Sequence, residues 1–177
     1  QMMANMLSVA AVMAGRLSPL DEPGLIEPIA KRVSTEIAAT SPNHRFVIQI
    51  PHGLPAAEGD PELLGQVMRN LYENAVKYSP QGGTVLTTAE TEGPWVRVHV
   101  HDNGVGIAPH ALPDLFQRFR RPGTDPTIRG MGLGLYLSRM LVESQGGSIS
   151  ASSAGRGKGS TFTITLPMVR DSDGEDA

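Results

Sequence analysis

His99-Val100-His101-Asp102-Asn103-Gly104-Val105-Gly106-Ile107 is the stretch on which the reading of this chain turns. A strand-like alternation, with Val96, Val98 and Val100 on one face and Arg97, His99 and His101 on the other, runs directly into an acidic residue and two glycines one residue apart. A carboxylate delivered by the end of a strand is held still, and the glycines behind it let the backbone turn and a flat ligand approach. Taken alone, Asp-Asn-Gly is a strong turn former, and a bare D-x-G-x-G is compatible with a loop that binds nothing. The flanking segments decide between the two.

Upstream, Asp60 with Pro61 and Glu62 forms an N-cap and first-turn signal that predicts a helix over 61–78. Along it Asn70, Asn74 and Lys77 fall at i, i+4 and i+7, on one face. A carboxamide oxygen is a hard, neutral ligand suited to a magnesium ion that also holds phosphates, and a lysine meets phosphate charge directly. In isolation the same stripe would be a solvated helix face. Downstream, Leu112, Leu115 and Phe116 predict a short helix over 112–119, and residues 120–130 are polar and breaker-rich, a candidate lid. Gly130-Met131-Gly132-Leu133-Gly134-Leu135 then leads into a helix predicted over 134–145 and stopped by Gly146-Gly147. Glycines there let backbone amides reach phosphate oxygens at a helix start. The spacing matches neither the dinucleotide fingerprint nor the Gly-Lys-Ser/Thr phosphate loop.

The remaining elements frame these motifs. Residues 2–17 place Met3, Met6, Ala10, Met13 and Leu17 on a helical seam, and Ser18 to Pro23 break it. A helix is expected over 22–39 and a strand over 46–50, with Phe46, Ile48 and Ile50 on one face. A hairpin follows over 84–90 and 95–101, and two strands, 148–152 and 161–166, close the chain before an acidic tail, 171–177, expected to be disordered. A length of 177 residues suits one domain with a helical appendage, and a net charge of -3 supplies no basic stripe for nucleic acid. The absence of cysteine excludes disulfides and thiolate metal sites and is compatible with the cytoplasm. No apolar run approaches the roughly 20 residues of a membrane span, so no membrane contact is expected. Without cysteine or acidic partners, His99 and His101 are not read as metal ligands. The chain begins with Gln1, as a piece of a longer protein would.

In this order the motifs resemble those of sensor histidine kinases. Asn70-Leu71-Tyr72-Glu73-Asn74-Ala75-Val76-Lys77-Tyr78-Ser79 looks like their N box, Asp102-Asn103-Gly104-Val105-Gly106-Ile107 like the first glycine box and Gly130 to Leu135 like the second. Leu115-Phe116-Gln117-Arg118-Phe119-Arg120-Arg121 is similar to the F box, and Gly157-Lys158-Gly159-Ser160-Thr161-Phe162 to the terminal hairpin. The resemblance implies a two-layer α/β sandwich of the Bergerat type: a mixed sheet, helices on one face, and a mobile ATP lid. It implies ATP and Mg2+ as the bound species. Asp102 would accept from the adenine amino group, with Gly104, Gly106 and Ile107 around it, Gly106 leaving room for the flat base and Tyr78 flanking the ring. Asn74 would hold the metal, with Asn70 and Lys77 beside it, and Arg118 and Arg121 would steady the terminal phosphate. Gly130, Gly132, Leu133, Gly134 and Thr161 would complete the nucleotide contacts.

By the same resemblance, residues 1–20 would be the end of a dimerisation hairpin helix with its linker, 21–169 the catalytic domain and 170–177 a tail. Gyrase-like and chaperone-like relatives carry a glutamate as general base one turn before the magnesium asparagine. This chain has Asn70 there, and Glu73 points about 100 degrees away. Transfer to a protein is therefore expected over hydrolysis. No histidine precedes His44, so the acceptor is expected on an upstream helix of the same or a partner protomer, in a full-length homodimer. A response regulator receiver domain would take the phosphoryl group onward, in the cytoplasm or in the cytoplasmic part of a membrane-anchored sensor. The alternatives are a nucleotide-binding pseudokinase or scaffold, and an anti-sigma-type serine kinase of the same fold.

Overall fold

The computed structural model describes residues 23–118 and 132–169. The expected helix at 2–17, the break after it up to residue 22, the whole 120–130 loop and the acidic tail lie outside these residues. Eleven elements follow in order, counting one 3-10 turn. They are β1 (Pro23–Gly24), α1 (Ile26–Ala38), β2 (His44–Gln49), β3 (Ala57–Glu58), α2 (Pro61–Lys77), β4 (Gly83–Glu92) and β5 (Trp95–Asp102), then the turn Pro109–Ala111, α3 (Gly134–Glu143), β6 (Ser148–Ser152) and β7 (Ser160–Pro167).

Five strands pair in the order β2-β4-β5-β7-β6, β2 parallel to β4 and the other pairs antiparallel. This is the mixed sheet expected from the sequence. Its period-two pattern gives one apolar face: Val85 and Ala89 of β4, Val96, Val98 and Val100 of β5, and Phe162, Ile164 and Leu166 of β7 are all buried. Against that face pack Ile29, Val33 and Ile37 of α1, Leu64, Met68 and Leu71 of α2, and Leu141 and Val142 of α3. Each fully buried side chain of this size contributes roughly 1.5–3 kcal/mol relative to exposure. Helices thus cover one face only. On the other, His99 Nδ1 lies 2.9 Å from Thr163 Oγ1 and His101 Nδ1 lies 3.0 Å from Thr161 Oγ1, so both histidines bond to the neighbouring strand.

One polar pair crosses the core between helix and sheet. The Tyr72 hydroxyl lies 2.8 Å from Thr87 Oγ1, both residues being fully buried. Burial pushes the Tyr72 phenol up to about 12, with the Thr87 bond opposing it. Tyr72→Phe is expected to destabilise the domain by about 1–2 kcal/mol, because it leaves the Thr87 hydroxyl buried without its partner. Urea unfolding would read this as a lower midpoint, and an unchanged midpoint would show that Thr87 finds another acceptor.

The structure differs from the sequence reading at three places. Helix α1 begins at Ile26, four residues later than expected, because Pro23 and Gly24 pair with Glu58 and Ala57 as β1 and β3. Strands of two residues leave no periodicity to read. This small sheet also meets the end of the chain, through an Ala57–Met168 bridge and the Val169 amide on the Ala56 carbonyl at 2.9 Å. Third, no α-helix forms over the described part of 112–119. The 3-10 turn Pro109–Ala111 is followed by turns whose bonds span three residues, Leu115 N to Leu112 O at 3.3 Å and Gln117 N to Asp114 O at 3.0 Å. The apolar spacing that suggested a helix instead serves packing: Leu115 is buried, and Phe116 meets Phe162 edge-on with ring centroids 6.5 Å apart.

Candidate functional site

Helix α2 is the element on which the site is built. Asp60 caps its start, its Oδ1 accepting from the amides of Glu62 at 2.7 Å and Leu63 at 3.3 Å. The Asp60 amide in turn donates to Gln145 Oε1 at 2.8 Å, just past the end of α3. Ten residues on, the buried Asn70 amide donates to Ser138 Oγ at 3.3 Å and approaches the Gly134 carbonyl at 3.4 Å. Two buried carboxamides therefore fix α2 and α3 antiparallel, with the first residue of α3 over Asn70. Asn74, one turn or about 5.4 Å further along the same face, projects past the start of α3, and Lys77 follows. Both are half-buried.

Among the described residues, no side chain caps the start of α3. Leu133 occupies the N-cap position and supplies no side-chain bond to the first-turn amides. Those amides point at the space beyond Gly134, where partial positive charge collects. Gly132 precedes them with a positive φ of 68°. Gly130 and Arg121, expected at the same site, lie outside the described residues.

The other wall is the loop after β5. Asp102, the last residue of that strand, is 3% exposed. Its Oδ1 accepts from the Gly104 amide at 2.8 Å and its Oδ2 from the Ser160 hydroxyl at 2.5 Å. The loop is tied to the end of α2 by the Val105 amide on the Tyr78 carbonyl at 2.9 Å. On its other side the turn between β6 and β7 grips it: Gly157 N donates to Val105 O at 2.7 Å and Gly159 N to Gly104 O at 3.1 Å. Ser153 is the hub of that turn, accepting from the Ile107 amide at 3.0 Å and donating to the Gly159 carbonyl at 2.6 Å. The last turn of α2 thus forms a floor between Asp102 and the start of α3. Lys77 Nζ lies 5.0 Å from the centre of the Tyr78 ring on that floor.

The structure places three of the expected residues as follows. Thr161 does not face the site: register pairs it with His101, and its hydroxyl bonds that histidine on the outer face of the sheet. Its neighbour Ser160 points to the helix side and holds Asp102. The alternation carried the signal, since Phe162 is a core residue and Ser160 shares its face. Gly106 leaves its room to the protein, because a Cβ there, at φ +68°, would fall on the Gly155 carbonyl oxygen. Gly104 is the residue squeezed beside the carboxylate, where an added Cβ would lie 2.8 Å from Asp102 Oδ1 and from Ser79 Oγ. Third, Arg118 is engaged with Tyr136, its Nη2 donating to the phenol oxygen at 2.5 Å. Ile107 is buried in the core, 5% exposed. Ser160, Ser138, Gln145 and Tyr136 are the site residues that sequence reasoning passed over.

The donor set suits a nucleotide with magnesium. A buried carboxylate with two fixed donors retains lone pairs for an amino group. A carboxamide beside open helix amides suits a hard cation that keeps waters and phosphate oxygens as its other ligands. Among the described residues, no group of three or more His, Cys, Asp or Glu side chains is placed to hold a metal by itself.

Residues 59–170 match the family described as histidine kinase-, DNA gyrase B-, and HSP90-like ATPase, and the chain belongs to that family. Within it, the relatives and solved structures that the chain resembles are sensor histidine kinases. It is 34% identical to the sensor histidine kinase Hik2 of Thermosynechococcus vestitus, over 84% of this chain and 39% of Hik2. The mycobacterial sensor histidine kinase MprB superimposes with a TM-score of 0.74 at 25% identity, covering 86% of this chain and all of the MprB chain. Full-length ShkA in complex with AMPPNP gives a TM-score of 0.74 at 27% identity, over 94% of this chain and 36% of ShkA. The chain spans under half the length of the curated relatives it matches. No helix among the described residues is long and apolar enough to cross a membrane.

Proposed function

We propose that this domain binds ATP with magnesium and presents the γ-phosphoryl group to a histidine on a separate helix, as the catalytic half of a sensor kinase. The observation that carries the reading is the pinning of the uncapped start of α3 onto α2 at Asn70, which sets Asn74 and Lys77 beside open amides. Asp102 lies across the floor from them and takes the adenine amino group. Phosphate oxygens meet the α3 amides, Lys77 and Arg118, while Asn74 offers its carboxamide oxygen to the metal. Magnesium, when bound, neutralises phosphate charge and fixes its geometry. The likeness to ShkA, whose complex holds AMPPNP, supports a nucleotide of this class.

The residues present favour transfer over hydrolysis. Asn70 stands where gyrase-like relatives resemble one another in carrying a glutamate, and a carboxamide takes no proton from water. Glu73 is half-buried on a different face; burial raises its carboxyl above the usual range while Arg69 opposes this. A histidine ring nitrogen would form a bond to the γ-phosphorus as the bond to the bridging oxygen breaks, ADP leaving. All five histidines of the chain lie outside the three α-helices of the described residues, His44 being tied through Nε2 to the Ser79 carbonyl at 2.9 Å. The acceptor in this reading belongs to a helix of a separate dimerisation hairpin, and 21–169 form the catalytic domain. A response regulator receiver domain is the onward partner, a homodimer the full-length state and the cytoplasm, where ATP is, the site of action.

The test is incubation of this chain with γ-labelled ATP and magnesium, alone and with a histidine-bearing helical hairpin from a relative. Alone it should bind ATP and remain unlabelled. Acid-labile, alkali-stable phosphate on the hairpin supports histidine transfer. Acid-stable phosphoserine would make it a serine kinase, and tight nucleotide binding without any transfer would make it a scaffold.

A further inference from the structure

Arg118, in the turns that follow Pro109–Ala111, and Tyr136, in the first turn of α3, are 18 residues apart in sequence. They meet twice. The guanidinium donates to the phenol oxygen at 2.5 Å, and its central carbon sits 4.6 Å from the centre of the ring. A hydrogen bond fixes where one nitrogen is, and a stacked face fixes the plane of the group; together they orient a side chain that otherwise has many rotamers. Tyr136 is the third residue of α3, and aromatic side chains in helices lean toward the N-terminus. The phenol therefore carries the guanidinium toward the uncapped end of the helix. A cation is unfavourable there until an anion arrives, so an Arg118 held in place by a neutral aromatic ring is set for an incoming phosphate.

The geometry points to Tyr136 as a positioning residue that holds Arg118 for the terminal phosphate of the nucleotide. This rests on the reading of the site as an ATP site and adds to it the residue that distinguishes a triphosphate from a diphosphate. Tyr136 touches no reacting atom; it acts through the guanidinium, by ring stacking and by one hydroxyl.

The proposal is tested by calorimetric titration of the chain with ATP and with ADP, both with magnesium, for Arg118→Ala, Tyr136→Ala, Tyr136→Phe and the Arg118→Ala/Tyr136→Ala double variant. A charge-assisted bond to phosphate is worth about tenfold in affinity. Arg118→Ala and Tyr136→Ala should each lower ATP affinity by about that factor and leave ADP affinity within about twofold. Tyr136→Phe, which keeps the ring, should fall between wild type and Tyr136→Ala, and the double variant should be no worse than Arg118→Ala. Retained ADP binding shows that each variant is folded. Additive losses, or a Tyr136→Ala protein with the wild-type ratio of ATP to ADP affinity, would overturn the positioning role while leaving the nucleotide site standing. Failure of the wild-type chain to bind either nucleotide would instead overturn the site.

Discussion

Asp102→Asn is expected to fold normally and to bind ATP about a hundredfold more weakly or worse. The folded half of this expectation comes from the two donors already on the carboxylate. The Gly104 amide at 2.8 Å can only donate, so an asparagine keeps its oxygen there. Its nitrogen then faces Ser160, whose hydroxyl can turn from donor to acceptor. The substitution is thus absorbed by one rotation of a serine. Binding has no such escape, because the atom turned toward the base now donates where the adenine amino group also donates. ATP and ADP should lose affinity equally, since they share the base, in contrast to the Arg118 and Tyr136 variants. Calorimetry that found ATP bound within about threefold of wild type would remove Asp102 from the role of anchor. Asp102→Ala should be as weak a binder and less stable, having left the Ser160 hydroxyl without its acceptor.

Gly106→Ala is expected to destabilise the domain by about 3 kcal/mol or more. Part is conformational: φ is +68°, where a Cβ costs about 1–2 kcal/mol. The remainder is collision with the Gly155 carbonyl oxygen, in a turn that cannot easily retreat because Ser153 and the Gly157 and Gly159 amides hold it. Gly53 separates the two contributions. It has φ +81° and nothing within 4 Å of an added Cβ, so Gly53→Ala should show the conformational cost alone. Equal unfolding midpoints for the two variants would show that the turn yields to Gly106→Ala and that no steric cost exists.

Much of the fold was legible because its signals are periodic. The i, i+4, i+7 placement of Asn70, Asn74 and Lys77 and the alternation ending at Asp102 survive into the structure, as do the Asp60 cap and the five strands of the main sheet. What failed was local or non-periodic. Thr161, the expected contact, lies one residue from Ser160, which holds Asp102, and in a strand one step exchanges one face for the other. The 112–119 segment has helical apolar spacing, yet that spacing serves core contacts of Leu115 and Phe116 within a run of turns. The β1–β3 pair and the Asn70–Ser138 and Asp60–Gln145 contacts depend on which elements the fold brings together, and no window of sequence contains both partners.

The grip of the β6–β7 turn on the loop after Asp102 also has a temporal side. Asp102 and Ser160 are 58 residues apart in sequence, and β7 lies inside the sheet, between β5 and β6. Contacts of such separation form late, after local helices and hairpins. On a ribosome, the helix with Asn74 and the β4–β5 hairpin can assemble while the anchor carboxylate still lacks its serine and its clamp. Only a chain completed through β7 therefore holds Asp102 with its serine and its clamp in place.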